Sequence, residues 1–451
     1  MSTPSLLIIA LGAGKGTRMK SAIPKVMHPI AGHSMLAHVL GTAQAAGATS
    51  LAVVVGPDMP AVRAEAAKCA PGAAVFEQTN QRGTGDAVLA AREIVASHKG
   101  DVIVLFADTP LIRPGTLKRL DAALDGGADV AVLGFNAADP TGYGRLVTDA
   151  SGALLAIREH NDASEAERKI HLCNSGVVAF RTANLIGVLD RLQPHNAKGE
   201  YYLTDAVAIL RTDGRRAAVV VCDEDEVLGV NGRAQLAEAE RIFQRRARTA
   251  AMADGATLID PDTVYFAFDT KIGRDVVIEP NVFFGPGVTV GDDVLIRANC
   301  HIEGTTIEPG AKIGPFARLR PGAKLGRDVH VGNFVEVKNA TLEAGAKANH
   351  LSYIGDGRVG AKANIGAGTI FCNYDGFNKH FTDVGAGAFV GSNSSLVAPV
   401  KIGDGAFVGS GSVITKNVEA NALALERSTQ ESRPGWAAKF REMMAKRKAR
   451  T

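Results

Sequence analysis

Cysteine is scarce in this 451-residue chain, and the few present have no pattern. Cys69, Cys173, Cys222, Cys300 and Cys372 are odd in number and share no CxxC spacing. That argues against a disulfide framework or a zinc site and for a reducing compartment. No run of ~18 apolar residues occurs, so no membrane insertion is expected. A basic leader region is missing from MSTPSLLIIALGAGKGTRM, whose apolar run ends in a Gly-rich loop; it reads as a strand rather than a signal peptide. Excess charge of one sign is lacking too. A formal net charge of +3 is too balanced for a nucleic-acid binder. Together these absences point to a cytoplasmic protein. Its 46% apolar and 22% charged residues are ordinary, and its length allows two or three domains.

What the second half does contain is a ladder of aliphatic residues. Ile272, Ile278, Phe284, Val290, Ile296 and Ile302 fall six apart, several followed by Gly, as at Gly273, Gly285 and Gly291. After a slip of one the ladder resumes at Ile307, Ile313, Leu319, Leu325, Val331 and Val337. Shorter runs follow at Leu342, Ala348 and Ile354, then Val359, Ile365 and Phe371, and a last one extends from Val384 to Ile414. Ordinary antiparallel strands would alternate with period two. Period six belongs to a parallel β-helix, three hexads to the coil, with Gly or another small residue expected at the corners. Counting coils stacks Glu303, Arg320, Lys338, Gly355 and Cys372 in one column, with rungs about 4.8 Å apart. Two stacked cations invite an anion between them. His350 and Tyr353 lead into the next rung, and the repeat is broken by CNYDGFNKHFTDV (Cys372 to Val384), expected to loop outward. One edge is therefore expected to gather Arg320, Lys338, His350, Tyr353, Asn373, Tyr374 and Lys379. A solvated charge pair beside an incidental loop is the alternative.

Residues 5 to 230 read as alternating strands and helices. Strands are expected at Leu6–Leu11, Leu51–Val55, Val102–Phe106, Ala128–Leu133, Val177–Phe180 and Ala217–Val221, and helices near 34–46, 61–69, 84–97, 115–124 and 203–211. This is an α/β domain with a mostly parallel sheet, whose ligands sit at the carboxyl ends of the strands. The first strand delivers Gly12-Ala13-Gly14-Lys15-Gly16-Thr17-Arg18, a loop suited to a polyphosphate. It matches neither a Walker loop nor G-x-G-x-x-G, and a tight structural turn is the alternative. Lys25, Gln78 and Gly83-Thr84-Gly85 fall where such a fold places ligand groups, and Asp108 ends a strand where a carboxylate can hold a divalent cation or cap a helix. Arg233–Ala253 reads as a connecting helix. Lys439–Arg450 reads as a basic tail, either solvated or clamping phosphates.

GAGKGTRM, PKVMHPIAG, ADTPL, DPTGYGRL, NSGV, EYYLTD and GVN occur in that order, followed by GPFARLRPGA, VGNFVEVKNA and NIGAGTIFCNYDG. Over nearly its whole length the chain resembles the bifunctional bacterial N-acetylglucosamine-1-phosphate uridylyltransferase/glucosamine-1-phosphate acetyltransferase family. The resemblance implies a Rossmann-like nucleotidyltransferase domain (1–230), a linker helix (231–253) and a left-handed parallel β-helix acetyltransferase domain (254–451). It implies a homotrimer that makes UDP-N-acetylglucosamine from glucosamine 1-phosphate, acetyl-coenzyme A and UTP. Leu11, Gly12, Ala13, Gly14, Gln78, Gly83, Thr84 and Phe106 would meet the nucleotide. Lys25 and Arg18 would neutralise phosphates, Gly144, Glu159 and Asn174 would meet the sugar, and Asp108 with Asn231 would hold Mg²⁺. Arg320, Lys338, Tyr353 and Asn364 would bind glucosamine 1-phosphate, and His350 would be the base. Ala367, Asn373, Tyr374, Ser392, Ser410 and Arg427 would line the acetyl-coenzyme A side. The chain departs from the family at Gly12, at Phe106-Ala107, where a hydroxyl is lost, and at Ser410. Two other readings are a single-activity pyrophosphorylase whose β-helix only oligomerises, and a nucleotide-sugar-binding scaffold.

Overall fold

The computed structural model describes residues 5–150, 152–195 and 199–449. The chain divides into two compact units, Met1–Thr249 and Ala250–Thr451.

In the first unit the strands stack in the order Ala217–Cys222, Val130–Asn136, Leu172–Arg181, Gly100–Phe106, Ser5–Leu11, Ser50–Val55, Ala74–Glu77. All pairings are parallel except those of Leu172–Arg181, which runs antiparallel to both neighbours. Successive residues of the first strand enter opposite cores: Leu6, Ile8 and Ala10 one, Leu7, Ile9 and Leu11 the other. A sheet covered on both faces has no polar side, which is why its strands are near-continuous apolar runs rather than alternating ones. Ala74–Glu77, Arg145–Thr148 and Leu154–Arg158 are strands that apolar runs did not flag, and the expected 84–97 helix divides into Thr84–Ala90 and Arg92–Ser97. The helix Arg233–Ala253 buries Ala239 and Ile242 against Ile30, Met35 and Leu111. Its Glu240 accepts the Ala31 N–H at 2.7 Å, and Arg246 donates to the Leu111 carbonyl at 2.7 Å.

The second unit is a parallel β-helix of two-residue to seven-residue strands. One wall carries Val277–Ile278, Leu295–Ile296, Lys312–Ile313, His330–Asn333, Lys347–His350 and Asn364–Ile365. The other two walls form one continuous sheet, because Glu336–Leu342 and Tyr353–Val359 run unbroken round a corner. Ladder residues such as Leu319, Val337, Ile354 and Phe371 are fully buried. The corners depart from expectation. Left-handed backbone is carried by Asn339, Asp356, Asp328, Asn299 and even Phe316, Phe334, Leu351 and Lys362, as well as by Gly. Asn and Asp tolerate this conformation through local hydrogen bonds. Gly285, by contrast, has ordinary φ; a Cβ there would stand 2.6 Å from Glu303 Cγ of the next rung, so close approach explains that glycine. Among the described residues no helix is long and apolar enough to cross a membrane.

Candidate active sites

In the first unit the candidate residues gather at the carboxyl ends of the parallel strands. Leu11 pairs with Phe106 on one side and Val54 on the other, and the Gly12 N–H continues the ladder to the Val54 carbonyl at 2.7 Å. The loop that follows is steadied from outside, by Gln81 Nε2 donating to the Ala13 carbonyl at 2.9 Å. Gly14, Lys15, Thr17 and Arg18 are exposed.

A polar chain closes one side of this mouth. Arg18 donates to Asn231 Oδ1 at 2.9 Å, Lys25 Nζ donates to the same oxygen at 3.2 Å, and Lys25 is ion-paired with Asp108. Asp108 is held in turn by its own carbonyl, which accepts the Val230 N–H at 2.9 Å, beside Asn231. Residues 18, 25, 108 and 231 thus meet, although 213 positions separate the first from the last. One carboxylate and one amide oxygen facing a single cation are a hard donor pair of the kind a divalent ion takes, with phosphate and water completing its shell. Among the described residues no group of three His, Cys, Asp or Glu side chains could hold a metal by itself.

On the opposite side, buried Gln78 donates to the Gly83 carbonyl at 3.0 Å and to Asp86 at 2.9 Å. Gly83 has φ +109, and a Cβ there would lie 2.7 Å from the Tyr201 carbonyl oxygen. Thr84 Oγ1 accepts the Leu203 N–H at 3.0 Å. The same segment reaches the third group, where Thr204 Oγ1 donates to Glu159 at 3.4 Å. Glu159 lies beside Gly144, whose carbonyl accepts the Asn174 N–H at 2.8 Å. Asn174 sits where the register of its strand shifts before Val178; its Oδ1 accepts the Gly176 N–H at 3.0 Å. Phe106 packs its ring over Gly176, where a Cβ would stand 2.5 Å from Cε2. Phe106 thus makes a ring contact with the bulge. Gln81 and Asp86 were not singled out in the sequence, and Tyr201 entered only within the EYYLTD motif. Gln81 and Tyr201 lie outside helices and strands and Asp86 in the first turn of Thr84–Ala90, and their roles depend on partners in other segments: Ala13 for Gln81, Gln78 for Asp86 and the Arg82 carbonyl for Tyr201.

In the β-helix the coil count gives the observed register: Lys338 pairs with Gly355, and the Arg320 N–H reaches the Val337 carbonyl at 2.8 Å. The stacked cations are not bare. Arg320 donates to Glu336 Oε1 at 2.8 Å, a bond that raises its pKa. Lys338 lies against Lys379 of the outward loop, and this contact, with the Lys338 charge, lowers the Lys379 pKa. Buried Asp356 faces both lysines. Around Arg320, Lys338 and Lys379 stand Glu303, Glu336 and Asp356, and Arg318 shares Glu336 at 3.9 Å.

His350 departs from the expected single edge. It ends the strand Lys347–His350 of the neighbouring wall, paired with Asn333 one rung below. Its Nδ1 donates to Asn333 Oδ1 at 2.7 Å, which leaves the lone pair on Nε2. The next rungs of this edge bring Ala367, Ser392 and Ser410: the Gly368 N–H meets the His350 carbonyl, the Asn393 N–H the Ala367 carbonyl, and the Gly411 N–H the Ser392 carbonyl. Arg427 closes the column by donating to the Ser410 carbonyl at 2.8 Å. Tyr353 opens the wall between the two edges, its ring over Gly355. So one wall separates His350 and the Ala367–Arg427 column from Arg320 and Lys338. Four residues lie between His350 and the Gly355 corner, five steps and so roughly 16 Å of extended chain at most. Asn364 belongs to the His350 wall, paired with Lys347. Asn373 sits at the base of the outward loop, its amide donating to Asp356 and, at 3.4 Å, to Tyr353 Oη. Exposed Tyr374 turns back on the loop, Oη donating to the Gly376 carbonyl at 2.5 Å. The basic tail is an exposed helix, Trp436–Lys448; Arg450 lies outside the described residues.

Residues 8–171 match the family model for a MobA-like NTP transferase domain. Residues 269–304, 304–339 and 381–416 match the model for bacterial transferase hexapeptide repeats. Fold and sites together therefore define a nucleotidyltransferase followed by a hexapeptide-repeat acyltransferase, whose coil is a left-handed β-helix. The chain is 59% identical over 448 residues to the bifunctional protein GlmU of Azorhizobium caulinodans, covering 99% of this chain and 100% of that one. The corresponding protein of Xanthobacter autotrophicus gives 59% over 448 residues, with the same coverage. That of Paramagnetospirillum magneticum gives 56% over 452 residues and the full length of both chains. This chain belongs to the bifunctional GlmU family, a family of two-activity transferases.

Proposed function

We propose that the chain makes UDP-N-acetylglucosamine in two steps. The β-helix transfers acetyl from acetyl-coenzyme A to glucosamine 1-phosphate. The first domain then transfers uridylyl from UTP to the acetylated sugar phosphate, releasing pyrophosphate. The observation that carries this reading is that each unit has its own cation cluster, Arg18–Asn231–Lys25–Asp108 in one and Arg320–Lys338–Lys379 in the other. A β-helix serving only as an oligomerisation module would have no use for the second. A nucleotide-sugar-binding scaffold would have no use for Asp108 and Asn231 beside Lys25. In this reading residues 1–230 form the uridylyltransfer domain, 231–253 the linker helix and 254–451 the acetyltransfer domain.

For uridylyl transfer, Ala13 and Gly14 present backbone N–H groups to the nucleotide phosphates beyond Gly12, whose own N–H continues the ladder, while Lys25 and Arg18 take up their charge. Gln78, Gly83, Thr84 and Leu11 enclose the uridine, and Gly144, Glu159 and Asn174 the sugar, with Phe106 beneath. Positioning the sugar phosphate oxygen in line with the α-phosphorus is the main work, since no covalent protein chemistry is needed. Mg²⁺, held by Asp108 and Asn231, supplies neutralisation of the phosphate oxygens when bound.

For acetyl transfer, Arg320 and Lys338 hold the sugar phosphate and Tyr353 the sugar. His350 Nε2, its lone pair set by the bond from Nδ1 to Asn333, accepts the amine proton as the thioester is attacked, a contribution of typically ~10²–10⁴-fold. Asn373 and Tyr374 serve the acetyl end, and Ala367, Ser392, Ser410 and Arg427 the coenzyme. A homotrimer fits this division: with base and phosphate groups on two edges of one wall, a neighbouring copy supplies Asn364 and brings the edges of two chains to one substrate. The substrates and the five free cysteines support a cytoplasmic location. Incubating the protein with glucosamine 1-phosphate, acetyl-coenzyme A, UTP and Mg²⁺ should yield UDP-N-acetylglucosamine, free thiol and pyrophosphate. Pyrophosphate exchange without thiol release would leave only the single-activity reading.

A further inference from the structure

We propose that Asp356 is a positioning residue of the acetyl-transfer site, whose carboxylate pins the outward loop to the coil through Asn373 and keeps Lys338 and Lys379 where the amino-sugar phosphate meets them. The proposal rests on the acetyl-transfer reading above.

The rung position itself does not call for a carboxylate. The corner column here runs Gly322, Asn339, Asp356, each with left-handed backbone (φ +86, +45 and +48), so conformation alone is met by Gly or Asn. Yet Asp356 is only 8% exposed, and a charge so placed is unfavourable unless it is paired and hydrogen-bonded. It is both. Oδ1 accepts from Asn339 Nδ2 at 2.7 Å, one rung below, and Oδ2 accepts from Asn373 Nδ2, one rung above. Burial pushes its pKa up, but the two amide bonds and the Lys338 and Lys379 charges outweigh this and hold it below the usual range.

The second strand of the argument is the loop. Between Cys372 and Val384 the chain leaves the coil and carries Lys379 back onto Lys338. The excursion is tied within itself, Asp375 accepting from the Phe377 and Asn378 N–H groups and from His380, and Tyr374 bridging to Lys379. Two ammonium groups in contact repel, so something must keep Lys379 there. Asp356 faces both of them; the other ionisable group beside Lys379 is Tyr353. Asn373, bonded to Asp356 and to Tyr353 Oη, transmits the same restraint to the loop base.

Simple electrostatics and this account predict opposite signs. If Asp356 were only a negative charge near an anion site, neutralising it would strengthen phosphate binding. If it positions the cations, Asp356→Asn weakens binding, because Asn373 loses its charged partner at the loop base and Lys379 loses the negative charge that faces it, so that its ammonium becomes easier to deprotonate. The experiment measures KM for glucosamine 1-phosphate and kcat of acetyl transfer in the full-length wild type, Asp356→Asn and Asp356→Gly, between pH 7 and 9.5. Both variants tolerate the corner's backbone, and a cooperative thermal unfolding of the β-helix followed by circular dichroism, matching the wild type's, reports that this unit is folded. Taking variant-to-wild-type ratios cancels the titration of the substrate amine. Expected is a rise in KM of about tenfold, the loss of one charge-assisted contact, growing toward high pH in Asp356→Asn, with kcat within about threefold. An unchanged or lowered KM, a pH-independent ratio, or a fall in kcat alone overturns the proposal. A wild type that releases no thiol would instead overturn the acetyl-transfer reading.

Discussion

Phe371 tests whether the hexad ladder carries function as well as fold. Its ring is fully buried, stacked in register with Leu396 of the next rung and lying 3.0 Å from where a Cβ on Gly357 would stand. Its carbonyl accepts the Asn373 N–H at 2.9 Å, so the base of the outward loop rests directly on this core residue. Truncation to Ala removes the whole ring from a site whose neighbours are backbone rungs, with little freedom to collapse. Phe→Ala in such a setting costs about 3–5 kcal/mol, whereas Phe371→Leu, which keeps most of the volume, should cost under about 1.5 kcal/mol. At about 1.4 kcal/mol per decade, the Ala variant should raise the local opening constant by roughly two to three and a half decades. Hydrogen exchange of amides in Tyr353–Val359 and Ser395–Val397 reads this directly. Acetyl transfer should fall in the Ala variant and largely survive in the Leu variant, with uridylyl transfer unchanged in both. A destabilisation below about 1 kcal/mol, or an equal loss of both activities, would refute the reasoning.

Other expectations can be checked on the same protein. Asp108→Asn should lower uridylyl transfer by about two decades or more, the scale for losing one electrostatic stabiliser, and leave acetyl transfer intact; retained uridylyl transfer at ordinary Mg²⁺ rules out the metal role. His350→Ala should lower acetyl transfer alone by ~10²–10⁴-fold, and an unchanged rate removes it from the mechanism. Burial and the neighbouring Asp125 raise the pKa of Asp121, whose Oδ1 has no hydrogen-bond partner; burial likewise raises Asp101, against the pull of Arg181. A carboxyl raised on folding stabilises fully only below its unfolded pKa of about 3.9 and loses that contribution as pH rises through the folded value. Asp121→Asn should therefore raise the urea midpoint at pH 7, with the gain shrinking toward pH 4; a gain that does not depend on pH counts against this cause.

Much was legible without coordinates because it depends on local periodicity. A strand buried on both faces shows as an apolar run, and a hexad shows as a six-residue beat wherever one residue per turn must point inward. Counting those beats predicts the register of Lys338 with Gly355, because each rung repeats the one below. The helix Arg233–Ala253 announces itself through its own spacing. Contacts between segments with independent conformations are another matter. Nothing in the neighbourhood of Lys25 says that its partner is Asp108, 83 positions away, since sheet order rather than chain order brings them together. His350 stands three residues before Tyr353, yet the corner between them puts it on the neighbouring wall with Asn333, because nearness along the chain is not nearness around a coil. Asp356 draws no notice in the sequence. Only the stacked rungs and the returning loop turn it into a buried carboxylate between two amides and two lysines.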